Sequence, residues 1–246
     1  MHHIKYSLFT TIIAITFPSI AAAQNIIPIP YEGFTVWVDC DRQGPVLFHY
    51  IAEADSGNFE RHDGYKTDPN VDPSCQSLRN ASFQSTLGLS DTPYDVGHMV
   101  PANHFDGSEL AIKQTNFWTN LLPQTSSMNR GAWLHTEKIT ECLREETPIE
   151  VWGGPIWGSN FDDNQFIDTH GIATPAAFWK ILIRTDNRDA IAWVIPNASA
   201  PQSSVDDWLQ SPALIEILTG REFDVADKNF VPETSWTFDG MGCDLS

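Results

Sequence analysis

The chain is poor in basic residues. Only 14 lysines and arginines stand against 32 aspartates and glutamates, which gives its 246 residues a formal net charge of −18 at pH 7. Proteins that bind polyanions usually present a broad cationic surface, so this composition argues against a nucleic-acid enzyme that relies on such a surface. A phosphate could still be held locally by a divalent ion and a few arginines. The acidic remainder is equally well explained as a solvated surface that maintains solubility.

Cysteine is also scarce. Cys40, Cys75, Cys142 and Cys243 lie far apart and form no Cys-x-x-Cys pair, which argues against a zinc ribbon and a thioredoxin-type redox centre. In an exported protein, structural disulfides are the expected use of these residues. Three pairings are possible and the sequence does not choose among them. We favour Cys40 with Cys75 and Cys142 with Cys243.

The chain has no long hydrophobic run. Its apolar N-terminal stretch, residues 8–20, is interrupted by threonines, a proline and a serine and is shorter than the roughly 20 residues that a membrane span needs. Ala21-Ala22-Ala23-Gln24 follows it, as small residues follow the apolar region of a secretory signal peptide. We therefore predict a signal peptide over residues 1–23, a single domain over residues 24–246, and a secreted or periplasmic protein with no membrane association after cleavage. Nothing in the sequence indicates the oligomeric state.

Apolar and aromatic residues are sufficient for a packed interior, at 41% of the chain with nine tryptophans. Short β-branched and aromatic runs bounded by Gly, Pro or Asp predict at least five strands, over residues 34–38, 46–51, 149–152, 178–183 and 190–195. A short turn over residues 184–189 joins the last two strands as a hairpin, which favours antiparallel pairing.

Two segments have the composition of helices, residues 132–146 and 205–218, and Pro212 is expected to divide the second. The polar stretch 55–92 predicts a long irregular excursion, and long loops often carry function. The predicted fold class is α+β, with a central, mainly antiparallel sheet flanked by helices.

Polar residues with special backbone chemistry concentrate between Tyr94 and Glu137. Gly97 allows a close or left-handed backbone approach that would expose the imidazole of His98 at the end of a strand or loop. Histidine is the side chain best suited to abstract a proton near neutral pH. Asn129 precedes the predicted helix, where free N–H groups and the helix dipole favour a phosphate. Its amide oxygen is a ligand that Mg²⁺ accepts while keeping most of its waters.

Glu137 follows Asn129 by eight residues. On a continuous helix the two would be roughly 12 Å apart, at about 1.5 Å per residue. Orientation of metal-bound water therefore fits Glu137 better than direct ligation, if the chain bends after Asn129. A solvated helix carboxylate is the alternative.

These segments resemble the DNA/RNA non-specific endonuclease family, the Serratia-type group, whose ββα-metal active site carries the signature Asp-Arg-Gly-His followed by an asparagine at a helix start. The corresponding segment here is Asp95-Val96-Gly97-His98. The resemblance covers most of the chain after residue 24, and its further segments are Asn120 with Pro123-Gln124, Asn129 with Gly131-Ala132-Trp133, Glu137, Gly153-Gly154-Pro155-Ile156, Phe178-Trp179-Lys180 and Pro196-Asn197.

The resemblance implies a ββα-metal (His-Me finger) nuclease-like fold and a divalent-metal-dependent endonuclease that acts on DNA and RNA without strong sequence specificity. It implies that His98 is the general base and that Asn129 is the protein ligand of a hydrated Mg²⁺ (or Mn²⁺) ion. Asn120 would help to hold the catalytic site and Glu137 would orient metal-bound water. Arg61 would contact a phosphate of the nucleic acid substrate.

Two positions depart from the family pattern. Val96 stands where the signature has an arginine, and Glu141 stands where a later arginine is expected. Each change removes a cation, and a hydrogen bond to a charged group is typically worth about 1.5–3 kcal/mol. Arg130 is the nearest cation that could substitute as a substrate contact, and Asp95 is expected to fix the loop. The alternatives are a nuclease-fold protein that binds a partner or ligand without nuclease activity, and a hydrolase for a different substrate.

Overall fold

The computed structural model describes residues 25–61, 64–77, 94–158 and 166–235. The predicted signal peptide and Cys243 lie outside these residues, so the signal peptide and the Cys142–Cys243 pairing stay predictions. The Cys40–Cys75 disulfide is confirmed. No helix within the described ranges is long and apolar enough to cross a membrane.

Strands in the described ranges form two antiparallel sheets. The large sheet has seven strands in the order β1-β2-β3-β6-β7-β8-β9, and β4 pairs with β5 in a separate ribbon. The bounds are β1 (Ile26–Pro30), β2 (Phe34–Asp39), β3 (Gly44–Ala52), β4 (Tyr94–His98), β5 (Leu121–Thr125), β6 (Ile149–Ile156), β7 (Ala177–Arg184), β8 (Ala190–Pro196) and β9 (Leu209–Gln210).

Short helices connect and cover these strands. A π-helical turn, Asn129–Trp133, joins the second α-helix to the third. The α-helices of the described ranges are α1 (Glu109–Thr115), α2 (Ser126–Met128), α3 (Leu134–Leu143), α4 (Ile167–His170) and α5 (Pro212–Thr219). The 3-10 turns in the part of the chain that the structure describes are Pro73–Cys75, Ala102–His104, Trp118–Asn120 and Gln202–Trp208.

The predicted fold class is confirmed, since the sheet is antiparallel and helices pack against it. All five predicted strands are present with longer bounds, and the β7–β8 hairpin is confirmed. The sequence did not predict β4 and β5, because Gly97 and Pro123 are typical of turns. The second predicted helix was wrong in its first half, which is a 3-10 turn followed by β9. Its second half is α5, which begins at Pro212 with Ser211 as its N-cap.

The large sheet is packed on both faces. Side chains alternate along β7, so Phe178 and Leu182 join Trp133 in the main core, on the face covered by the β4–β5 ribbon and α3. Ile181 points the other way and packs with Ile215 of α5. The ribbon and α3 together form a ββα unit that lies against the middle of the sheet.

Candidate active site

The β4–β5 ribbon sets the position of His98, the last residue of β4. Gly97 pairs with Leu122, and a Cβ at this position would stand 2.1 Å from Oε1 of Gln124. Glycine is therefore required by the close approach of a β5 side chain, and Gly97 is not among the glycines with positive φ. The ribbon consequently presents His98 at a strand end.

His98 is held by Asn116, which lies at the end of α1. The Nε2 atom of His98 is 2.8 Å from Oδ1 of Asn116, a geometry in which Nε2 carries the proton and donates it. The neutral ring then has its lone pair on Nδ1. Burial lowers the pKa of His98 to about 4, the Asn116 hydrogen bond raises it, and the charge of Arg61 lowers it. The imidazole is therefore neutral at physiological pH, the state that a general base needs.

Asp95 connects β4 to the π-helical turn. Its carboxylate accepts hydrogen bonds from Ser126 Oγ (2.9 Å), Asn129 Nδ2 (3.0 Å) and the Nε and Nη2 atoms of Arg130 (2.8 and 2.7 Å). Burial alone would raise the pKa of Asp95, but these hydrogen bonds outweigh it and the pKa is lowered. The carboxylate stays ionised and fixes the turn, which is the role expected for it.

A kink at Gly131 separates Asn129 from α3. Gly131 has non-helical backbone angles, φ −109° and ψ −113°. A Cβ there would stand 2.4 Å from the carbonyl oxygen of Ala200, which accepts a hydrogen bond from the N–H of Ala132 at 3.0 Å. Single π-turns of this kind are frequent at functional sites. Because the chain bends, the separation expected along a continuous helix does not apply to Asn129 and Glu137.

Glu137 is nearly buried on α3. Its side chain is 12% exposed and its Oε1 lies 3.9 Å from Nζ of Lys180. Burial raises the pKa of Glu137 to about 7, although the charges of Lys180 and Arg61 and a hydrogen bond from Trp133 lower it. The Nε1 atom of Trp133 also donates to the backbone carbonyl of His98 at 3.2 Å. This indole therefore joins the helix that carries Glu137 to the strand that carries His98.

The side chain of Asn120 forms hydrogen bonds with backbone groups. Its Oδ1 accepts from the N–H of Val100, and its Nδ2 donates to the carbonyls of Val100 and Thr115, all at 2.9 Å. The side chain is fully buried. Asn120 thus clamps the segment that follows His98 and has no group left for a substrate.

The two arginines expected to contact substrate are placed differently. Arg61 is exposed, and its charge acts on the pKa of both His98 and Glu137, which places it beside the site. The side chain of Arg130 is 69% exposed but is engaged by Asp95. A phosphate at Arg130 would have to share or displace that ion pair.

Neither departure from the family pattern is offset by a cation at the same position. Val96 is buried in the main core. Glu141 lies one turn beyond Glu137 with its Oε1 3.6 Å from Nε2 of His104, whose Nδ1 is 2.8 Å from the hydroxyl of Tyr50. Burial holds the pKa of His104 well below its usual value, so this imidazole is neutral.

The side chains present suit a hydrated divalent ion better than a closed metal cage. Within the described ranges, no group of three or more His, Cys, Asp or Glu side chains could hold a metal. The hydrogen bond from Nδ2 of Asn129 to Asp95 leaves the amide oxygen of Asn129 on the other side of the group. One hard oxygen ligand close to the Asp95 carboxylate is an environment that Mg²⁺ accepts because it keeps several waters.

Three residues that shape this site were not assigned to it from the sequence. Trp133 belongs to a segment of the family resemblance, but the sequence did not show that it and Asn116 form hydrogen bonds with His98, because these bonds join segments that are distant in the chain. Lys180 does give a local signal, since it is a lone charged residue in the apolar run of β7 and alternates onto the same face as Phe178. A lysine on a buried sheet face needs a partner.

The sequence model of the family described as DNA/RNA non-specific endonuclease matches residues 14–229. Nuclease C1 of Cunninghamella echinulata var. echinulata is 30% identical over 148 residues, which are 55% of this chain and 56% of that protein. Mitochondrial nuclease EXOG of Mus musculus is 27% identical over 195 residues, 72% of this chain and 51% of that protein. Mitochondrial endonuclease G of Homo sapiens is 28% identical over 121 residues, 45% of this chain and 41% of that protein. The chain thus spans about half the length of these relatives.

A solved structure has a similar fold. A chain in the crystal structure of the EndoG/EndoGI complex, described in terms of EndoG inhibition, superimposes with a TM-score of 0.66 at 20% sequence identity. The match covers 84% of this chain and 87% of that chain. This likeness concerns the fold and supports a ββα-metal architecture.

Proposed function

Because the chain belongs to the DNA/RNA non-specific endonuclease family, we propose that it is a divalent-metal-dependent endonuclease that hydrolyses phosphodiester bonds in DNA and RNA without strong sequence specificity. The observation that carries the proposal is the neutral His98 at the end of β4, joined through Trp133 to the helix that carries Glu137. Export to the periplasm or the medium stays a prediction from the sequence.

His98 acts as the general base in the proposed reaction. Its Nε2 proton is donated to Asn116, so Nδ1 accepts the proton of the attacking water. Proton transfer to a neutral imidazole is available at neutral pH because burial keeps the pKa of His98 at about 4. Asn120 contributes by clamping the backbone after His98 and is a positioning residue in this proposal.

Asn129 would hold a hydrated Mg²⁺ or Mn²⁺ ion through its amide oxygen. When bound, the ion supplies Lewis-acid stabilisation of charge on the phosphate and on the leaving 3′ oxygen. Asp95 orients the Asn129 amide, and Glu137 in its ionised form accepts hydrogen bonds from nearby water. Arg61 is an exposed cation and would contact a substrate phosphate, with Arg130, which is also exposed but paired with Asp95, as a second contact.

Metal removal tests the proposal directly. Purified protein incubated with supercoiled plasmid and with RNA is expected to cut both in Mg²⁺ or Mn²⁺, and EDTA is expected to abolish cleavage because Asn129 alone cannot replace the charge of the ion. Readdition of the metal should restore activity. The products should carry 5′ phosphates, which phosphatase treatment and end labelling detect. Absence of cleavage with either metal at every pH between 5 and 9 would overturn the proposal.

The pH dependence should be governed by Glu137. Its pKa is raised to about 7, so the carboxylate is ionised above this pH and protonated below it. We expect kcat/KM to fall as the pH drops through about 7. A bound metal ion would move this fall to lower pH, because a nearby cation stabilises the ionised carboxylate of Glu137. In Glu137→Gln the fall of kcat/KM toward acidic pH should disappear, and the maximal kcat/KM should be lower than in the unchanged chain. An unchanged limb in the variant would assign the titration to another group.

A second candidate function is a nuclease-fold protein that binds nucleic acid or another ligand without cleaving it. Buried Val96 and acidic Glu141 favour it, since neither provides the cation that the family pattern places there. The two candidates separate in a gel-shift experiment run beside the cleavage assay. Binding with intact substrate in Mg²⁺ supports the second candidate, whereas cleavage supports the first.

A further inference from the structure

Lys180 is a completely buried lysine in the middle of β7. Its side chain has no solvent exposure, and it shares a sheet face with the core residues Phe178 and Leu182. A charged lysine is almost never fully buried unless it is paired, because the loss of hydration is costly. The groups that contact the Lys180 ammonium therefore indicate the role of its charge.

The contacts of the Lys180 ammonium group come from α3 and from the turn before it. Nζ lies 2.8 Å from Oγ1 of Thr136, 3.9 Å from Oε1 of Glu137 and 3.7 Å from the ring centroid of Trp133. The Thr136 hydroxyl donates to the carbonyl of Trp133 at 2.7 Å, so its oxygen is available to accept from Lys180. Trp133 in turn donates to the carbonyl of His98. Lys180 thus contacts the Glu137 half of the candidate site directly and is linked to the His98 half through Trp133.

Lys180 belongs to a cluster of charged groups that includes two carboxylates of α3. Glu137 and Glu141 stand one turn apart on α3, and both act on the pKa of Lys180, raising it against burial, which lowers it to about 8. Lys180 in turn lowers the pKa of Glu137, which burial and the charge of Glu141 raise. Beyond these groups, Arg61 acts on Glu137, Arg144 acts on Glu141, and His104 is affected by Arg144 and Lys180.

We propose that Lys180 is a positioning residue of the active site, which keeps the Glu137 carboxylate ionised and in place and supports the Trp133 indole beneath the strand of His98. The inference rests on the proposed function for its catalytic meaning. The electrostatic coupling between the Lys180 ammonium group and the Glu137 carboxylate does not depend on substrate or metal. The alternative is a lysine that only stabilises the core.

Lys180→Met removes the charge and keeps much of the side-chain volume. In the full chain labelled with ¹³C at glutamate carboxyl groups, NMR titration without metal is expected to show the Glu137 midpoint at higher pH, by about 1–3 pH units, because an opposite charge is lost. The Glu137 signal is identified by its absence in Glu137→Gln. An unchanged midpoint overturns the proposal.

The pH dependence of kcat distinguishes a positioning role of Lys180 from a purely structural one. In Lys180→Met the acidic limb of kcat should move to higher pH and activity should recover in part above pH 9, whereas a core defect lowers kcat equally at every pH. Lys138→Met is the matched control, since Lys138 lies next to Glu137 on α3 but is partly exposed rather than buried. Its limb should stay in place. A uniform loss in Lys180→Met, or an equal shift in Lys138→Met, contradicts the proposal.

A measurement on the unchanged chain covers the case in which Lys180→Met does not fold. The ¹⁵N signal of the buried Lys180 ammonium group should shift with the ionisation of Glu137, and this response should vanish in Glu137→Gln. A Lys180 signal that ignores Glu137 overturns the inference. If Lys180 and Glu137 are coupled but the chain never cleaves nucleic acid, only the proposed function is overturned. If the chain cleaves nucleic acid but the two groups are not coupled, only the inference about Lys180 is overturned.

Discussion

His98→Ala is expected to lower kcat by about 10²–10⁴-fold, the usual contribution of a positioned general base. The variant loses Nδ1, the proton acceptor, while Asn129, Glu137 and their partners keep their contacts. The melting temperature should change little, since the side chain is only partly buried and the hydrogen bond that is lost is the one to Asn116. Plasmid cleavage at saturating substrate and metal, together with thermal unfolding, measures both quantities.

His49→Ala is the control for this variant. His49 is also partly buried, but it stacks on Trp152 and faces Glu150 on the side of the sheet opposite the ββα unit. Its loss should leave kcat within a few-fold of the unchanged chain. Retention of more than a tenth of kcat in His98→Ala, or an equal fall in His49→Ala, would remove His98 from the role of base.

Gly131→Ala is expected to damage both stability and activity. The new Cβ would stand 2.4 Å from the carbonyl oxygen of Ala200 and 2.9 Å from Cα of Pro201, and both are backbone atoms that cannot rotate away. Overpacking of this kind typically costs about 1–3 kcal/mol of the free energy of unfolding. The π-helical turn would shift, and displacement of a site by about 1 Å can lower the rate about 10²-fold. Asn129 should bind Mg²⁺ more weakly as a result.

Gly220→Ala separates the two effects. Gly220 ends α5 with φ of 67°, and no atom lies near its missing Cβ, so alanine there is strained by its backbone alone. That strain is about 1–2 kcal/mol, which resembles the expected loss in Gly131→Ala. Thermal unfolding and the Mg²⁺ dependence of cleavage should therefore show two destabilised proteins, of which only Gly131→Ala needs more metal. Equal metal requirements would show that the turn does not position Asn129.

The sequence predicts the parts of this molecule whose signals are local. The runs that became β7 and β8 are apolar, β-branched and joined by a polar turn, so both the strands and their pairing could be predicted. Pro212 marks the start of α5 because proline is accepted in the first turn of a helix. His98 and Asn129 could be proposed as a pair only through the order of the motifs around them.

The remainder depends on contacts between distant segments. The kink at Gly131 is set by Ala200, and the orientation of the His98 ring is set by Asn116 at the end of α1. Neither partner has a residue type or spacing that marks it. Lys180 is intermediate, because its place in an apolar strand shows that it is unusual, whereas its closeness to Glu137 follows only from how α3 crosses the sheet.

The disulfide between Cys40 and Cys75 makes a covalent ring of the intervening chain, and Arg61 lies inside that ring. The two cysteines are 35 residues apart, and cross-linking a loop of this length removes about 4 kcal/mol of chain entropy from the unfolded ensemble in the loop-closure treatment. The arm that carries Arg61 is therefore tethered at both ends close to the sheet. In the proposed function, the segment that presents Arg61 to a substrate phosphate would therefore already be anchored at both ends before the substrate binds.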